Sequence, residues 1–312
     1  MLYVQPLGEF TLDQFKIVEL TSEFMRLYFN LPVKNLGKLP LDVVPLNARR
    51  VLPGSGGPQI LTSYILKNVL KPRLPRDGAA LVAFTATDLW PSEGWNFVFG
   101  QASLSERVGV WSISRYGDPS KGDAAFRLCL LRAIATATHE TGHMLSLLHC
   151  TSYECNMNGS ESLEESDRQP LALCPECLAK ICWATRTQPL DHLKRLADFC
   201  QKNGLKKEEA AYRRSIKALE LDRISQLRED SPLHHPLSGE VGDGIPASLA
   251  RPADVGVGEC VGLPAEEGLE EFVGGVRFAA VIAHHEGLAL QVDVLRHLPN
   301  RRGGEFPGSQ QP

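Results

Sequence analysis

The sequence predicts an α+β domain, a twisted mixed sheet lying over helices, followed by a helical hairpin and a flexible tail. Three observations lead there. Ala80 to Thr85 is an unbroken apolar run of strand length, as expected of a central strand covered on both faces. Ala124 to Ser146 is a long, mostly apolar stretch of helical length, which asks for burial. From residue 186 the chain turns to charged helical periodicity, and residues 231–312 then hold 13 of the 27 glycines. The expected units are therefore 1–185, 186–230 and 231–312.

Taken in order, Leu2 to Leu7 reads as a first strand. Thr11 to about Tyr28 is amphipathic, with Phe15, Val18, Leu20, Phe24, Leu27 and Tyr28 near helical spacing. Asp42 to Leu46 is a short strand candidate. Gly54 to Pro58 is a flexible loop leading into a helix from about Gln59 to Leu70. That loop lacks the spacing of a phosphate cradle. Phe97 to Ser103 and Val108 to Ser114 follow Ala80–Thr85 as strands, and Asp123 is an expected N-cap of the long helix. The segments 193–204 and 207–219 look like a helix pair with a Gly cap between, similar to one tetratricopeptide hairpin. A solenoid needs about three such repeats and only one is present. A hairpin packed on the first unit is the plainer reading; a protein contact through 186–230 is the sharper one. Phe272 to Leu298 has enough apolar content for a short element, and the rest of the tail reads as flexible. His234–His235 and His284–His285 are isolated pairs without a metal-site context.

The bulk numbers exclude several classes. With 312 residues, 43% hydrophobic content and 22% charged, the chain can bury one good core and a smaller unit. A net charge of −4 implies no strongly basic face, so no nucleic acid is expected as partner. No apolar run approaches the roughly 20 residues of a membrane span, and Met1 to Pro6 lacks the pattern of a secretory signal. Cys129, Cys182, Cys200 and Cys260 follow no pairing pattern, which suits a reducing, cytoplasmic location better than a disulfide framework.

The most informative stretch is His139 to Cys150. It contains H-E-x-x-H, with a third histidine six residues on. On a helix His139 and His143 lie one turn apart on one face, so both imidazoles reach one ion. His149 completes a three-nitrogen set if the chain turns back after the helix. Three protein ligands leave a fourth zinc position open, the arrangement of catalytic sites. Glu140 sits between the helical ligands, where a carboxylate can take a proton from water. Four cysteines, Cys150, Cys155, Cys174 and Cys177, follow at metal spacing. Three His, one Glu and four Cys within 39 residues are hard to ascribe to coincidence.

This segment resembles the archaemetzincin family of zinc metallopeptidases: H-E-x-x-H, a third His followed directly by Cys, then C-x-M and C-x-x-C. The stretch from Asp88 to Ala102 and the run Ser162–Glu165 through Arg168–Leu171 are also similar to that family. The likeness covers about residues 1–185. It implies a zincin/metzincin-like fold and a metallopeptidase acting on peptide or protein substrates. It further implies two zinc ions per chain: a catalytic one on His139, His143 and His149 with Glu140 as general base, and a structural one on Cys150, Cys155, Cys174 and Cys177. Met157 would be the methionine of a Met-turn, a hydrophobic floor beneath the catalytic ion. In the layout it implies, a sheet-edge strand pairs with an extended peptide, and Gly100 to Ser103 or its neighbour is the candidate.

One position departs from the pattern. Metzincin-type sequences have Gly three residues after the second His, where this chain has Ser146. A left-handed turn at a non-Gly residue costs about 1–2 kcal/mol; alternatively the helix runs on and turns at Leu147 or Leu148. Ser146 thus keeps open a zinc-binding protein of the same fold that no longer cuts; an adaptor working through the helical hairpin and a hydrolase of non-peptide amides are separate alternatives.

Overall fold

The chain enters as strand β1 (Leu2–Leu7), every residue of which is buried. In the computed structural model, which describes residues 1–52, 57–160 and 162–229, helix α1 (Leu12–Tyr28) follows. Its start is set by a capping box: Thr11 Oγ1 accepts from the Gln14 amide, and Gln14 Oε1 accepts from the Thr11 amide. Such a cap stabilises a helix by about 1 kcal/mol. The chain continues through β2 (Val33–Asn35), β3 (Arg49–Val51), β4 (Pro58–Leu61) and the short α2 (Thr62–Tyr64), which runs on as π-helix to Leu70. Then come β5 (Ala80–Thr85), β6 (Asp88–Trp90), β7 (Gly100–Ser103), β8 (Val108–Ser112) and the long α3 (Asp123–Met144). Four further helices close the described chain: α4 (Leu163–Arg168), α5 (Pro175–Thr185), α6 (Pro189–Lys202) and α7 (Lys206–Glu229).

The main sheet has the order β2-β1-β5-β8-β7, with β5 in the centre. Its pairings are parallel except β7 with β8, so β7 is an antiparallel edge strand. Side chains alternate across it. Val4, Val82 and Phe84 meet the helix layer, while Tyr3, Leu81, Ala83, Val108 and Val110 meet the residues around α2. Cover on both faces explains why Ala80–Thr85 reads as unbroken apolar sequence. The α+β sheet over helices expected from the sequence is present.

Several local expectations need correcting. Asp42–Leu46 is not a strand; it forms 3-10 turns flanked by Pro40 and Pro45, neither of which has an amide to donate to a ladder. The predicted helix from Gln59 begins three residues late, because 58–61 is captured as β4 between β3 and β6. That second, three-stranded sheet was not foreseen. The strands over 97–103 and 108–114 shrink to β7 and β8. Gly122, with φ 103°, caps α3, and Asp123 is its first residue. Nor is α3 buried all round, as Leu128 is 42% exposed.

The helix pair α6–α7 packs on α1. Phe199 meets Phe24 edge-on at 5.0 Å, and Leu193, Leu196, Tyr212 and Ile216 join the core beneath the sheet. Burying Phe199 stabilises this contact by roughly 1.5–3 kcal/mol. No helix among the described residues is long and apolar enough to cross a membrane. Cys260, the tail histidine pairs and Phe272–Leu298 lie outside the described residues.

Candidate metal centre and cleft

The last turns of α3 carry His139, Glu140 and His143. After Met144 the chain turns sharply. Leu147 N–H donates to Gly142 O at 3.0 Å and Ser146 N–H to His143 O at 2.8 Å, the bond pair of a Schellman cap. Ser146 occupies the left-handed position at φ 70°, where metzincin-type sequences have Gly, so the turn falls at Ser146 and not at Leu147 or Leu148. It swings His149 back onto the helix: ring centroids are 4.6 Å apart for His139–His143, 4.9 Å for His143–His149 and 5.3 Å for His139–His149.

Backbone carbonyls orient two of the rings. His139 Nδ1 lies 2.7 Å from Asn156 O, and His143 Nδ1 lies 2.6 Å from Leu147 O. A carbonyl only accepts, so each Nδ1 carries the proton and each Nε2 presents a lone pair. The two Nε2 atoms stand 3.0 Å apart. Facing lone pairs repel unless a cation lies between them, and tetrahedral zinc would set its nitrogens about 3.3 Å apart. Burial also keeps the rings neutral, bringing His139 down to about 4 and His143 to about 3, and lowering His149. The three ligand atoms lie within 4.8 Å of one another. Beside them Glu140 Oε2 is buried and finds no hydrogen-bond partner, and burial pushes its carboxyl up to about 7.

The four cysteines gather on the other side of the His149–Cys150 peptide, with Sγ atoms within 4.8 Å of one another. Cys150 Sγ and Cys174 Sγ are 3.7 Å apart, against about 3.8 Å for the edge of a zinc–thiolate tetrahedron. Amides of Met157 and Cys174 donate to Cys155 Sγ, and the Cys177 amide donates to Cys174 Sγ. Thiol donation from Cys174 and Cys177 lowers Cys155, while their own thiols are pushed up. All four are free thiols. Both donor sets therefore fit zinc. Met157 is fully buried against α3, where a Cβ added at Gly142 would stand 2.9 Å from its Sδ.

A cleft of about 210 Å³ opens beside Glu140. Trp95, Phe97 and Phe99 form one wall, and Leu163 and Ser166 of α4 another; Gly100 of β7 also borders it. The aromatic wall is held from behind. Arg115 makes a two-pronged ion pair with Asp88 at 2.8 and 2.7 Å, and its guanidinium lies 3.6 Å above the Phe97 ring. Arg50 lies over Trp90 and donates to the carbonyls of Trp95 and Asn96. Opposite, Arg132 pairs with Asp167 of α4 through two bonds and donates to Tyr116 O.

Every metal-site residue singled out from the sequence lies in one of the two clusters or against them. Asn156, which accepts from His139 Nδ1, and Asp88, Arg115 and Arg132, which brace the cleft walls, were not singled out by their chemistry. The one usable signal was a polar Asn156 wedged between Cys155 and Met157 in an otherwise buried motif.

The pattern describing peptidase family M54 matches residues 78–182. Human archaemetzincin-2 is 35% identical over 227 residues, covering 62% of this chain and 62% of its own length. The chain thus spans less than two thirds of that relative. The archaemetzincin of Pyrococcus furiosus is 30% identical over 186 residues, covering 58% of this chain and 92% of its own. A crystal structure of the Archaeoglobus fulgidus archaemetzincin with malonate is 29% identical, with a TM-score of 0.45 over 57% of this chain and 98% of that one.

Proposed function

This chain belongs to the archaemetzincin family, and from that membership we propose that it hydrolyses peptide bonds as a zinc-dependent metallopeptidase. His139, His143 and His149 would hold the catalytic ion, the two helical rings through Nε2. An ion there would supply Lewis-acid activation of a water and of the scissile carbonyl. Glu140 Oε2 takes the proton from the attacking water and passes it to the leaving amine. Burial raises this carboxyl, which favours its taking up a proton. The single observation that carries the reading is this buried, unpartnered Oε2 beside three neutral imidazoles.

An extended substrate would pair with the free edge of β7, the edge anticipated from the sequence, and lay a side chain against Phe97 and Phe99. Cys150, Cys155, Cys174 and Cys177 would bind a second, structural ion, with Met157 as the floor of the first. The left-handed turn at Ser146 favours a working site over an inactive one, since His149 reaches its neighbours without the family glycine.

Elemental analysis of wild type and His149→Ala tests this. Two zincs falling to about one, with loss of peptide hydrolysis in His149→Ala and in Glu140→Gln, is the expected result. One zinc in the wild type would overturn the catalytic assignment.

A further inference from the structure

Three lines of contact meet at one residue between the two donor sets. Asn156 is 4% exposed. Its carbonyl accepts from His139 Nδ1 at 2.7 Å, its amide donates to Ala172 O at 3.1 Å, and its side-chain Nδ2 donates to Thr138 Oγ1 at 2.8 Å and to Tyr28 OH at 3.4 Å. Thr138 Oγ1 in turn donates to Ile134 O one turn back in α3. The neighbours of Asn156 are Cys155 of the thiol cluster and the buried Met157. Resting on the metallopeptidase reading, we propose that Asn156 is a positioning residue: its side chain locks its own carbonyl in place, and that carbonyl sets the tautomer and tilt of His139, so that metal affinity at the three histidines depends on it.

The physical reason lies in what the backbone alone would allow. A carbonyl in a loop can rotate with its peptide plane, and a rotated acceptor would release the imidazole to spin about its side-chain bonds. The two Nδ2 bonds, one to α3 and one to α1, pin that plane from both sides. The bond to Thr138 matters most, because Thr138 is the residue immediately before His139. The ring and the acceptor that orients it are thus fixed to the same turn of helix. Losing the orienting partner of a metal-binding histidine typically lowers metal affinity about 10–100-fold.

The test is cobalt titration of the full chain after metal removal, followed by competition with zinc. Thiolate-to-cobalt charge transfer reports the four cysteines alone; both sites contribute visible d–d bands, so the histidine site is read as the cobalt bound, by elemental analysis, beyond what the charge-transfer band accounts for. Asn156→Ala is expected to weaken the histidine site about 10–100-fold while the thiolate bands titrate as in wild type. Because Asn156→Ala removes a buried amide and can impair folding, Thr138→Val and Thr138→Ser form the second test. Val removes the acceptor and should weaken the histidine site; Ser keeps it and should retain wild-type affinity. Equal affinity in Asn156→Ala and wild type would overturn the proposal, as would parallel losses at both sites or equal behaviour of the Val and Ser variants. Failure of the metallopeptidase reading looks different: the wild type itself would bind only the cobalt that the charge-transfer band accounts for, and both inferences would fall together.

Discussion

His192, buried where α6 meets α1, should make this protein lose stability as pH falls toward 5. It is 1% exposed, its Nδ1 has no hydrogen-bond partner, and it lies against Tyr28 with ring centroids 5.7 Å apart. Burial, with the nearby Arg195 guanidinium adding to it, lowers its pKa from 6.5 to about 4. The sign follows from proton counting. Between pH 6.5 and 4 the unfolded chain binds a proton at this ring and the folded chain does not, so stability rises with pH across that window and falls on acidification. Integrating from pH 7.5 to 5.0 gives a loss of about 2 kcal/mol from this group alone, or roughly 4–8 °C in melting temperature for a chain of this size. The assay is thermal or urea unfolding of wild type and His192→Leu at both pH values. Other titrating groups, the metal-site histidines included, act on both proteins and cancel in the difference. The gap between them should shift by about 2 kcal/mol in favour of the leucine variant at pH 5.0. A gap that is the same at both pH values would refute the reasoning.

Two further outcomes follow from the metal-site geometry. Ser146→Gly relieves a left-handed conformation worth about 1–2 kcal/mol against about 0.5–1 kcal/mol of added chain entropy, so its melting temperature should rise slightly with zinc content unchanged; a fall would mean the serine side chain itself contributes. Cys177→Ser should lose one zinc per chain and melt roughly 8–16 °C lower, as removal of a structural metal exceeds about 4 kcal/mol; unchanged melting and activity would argue against a structural ion.

The parts of this fold that were legible in the sequence are those whose chemistry is local. The donor residues stand at spacings that one helix and one short loop enforce, so His139, His143 and Cys174–Cys177 declare themselves. Ala80–Thr85 is legible because cover on both faces leaves no polar position. What stayed hidden depends on partners distant in sequence. Residues 58–61 carry no strong strand preference and become β4 only because β3 and β6 flank them. Asp88 and Arg115 are 27 residues apart, and each alone looks like an ordinary surface charge. Asn156 is informative only once His139 is seen to point at its carbonyl.

Arg115 and Tyr116 are consecutive, and between them they reach both sides of the cleft. The Arg115 guanidinium backs the aromatic wall, while the Tyr116 carbonyl receives the arginine that anchors α4. Both sides of the cleft thus rest on one short support. A substitution in the 113–118 turn that shifts this support would be felt on both sides without touching a residue that lines the cleft.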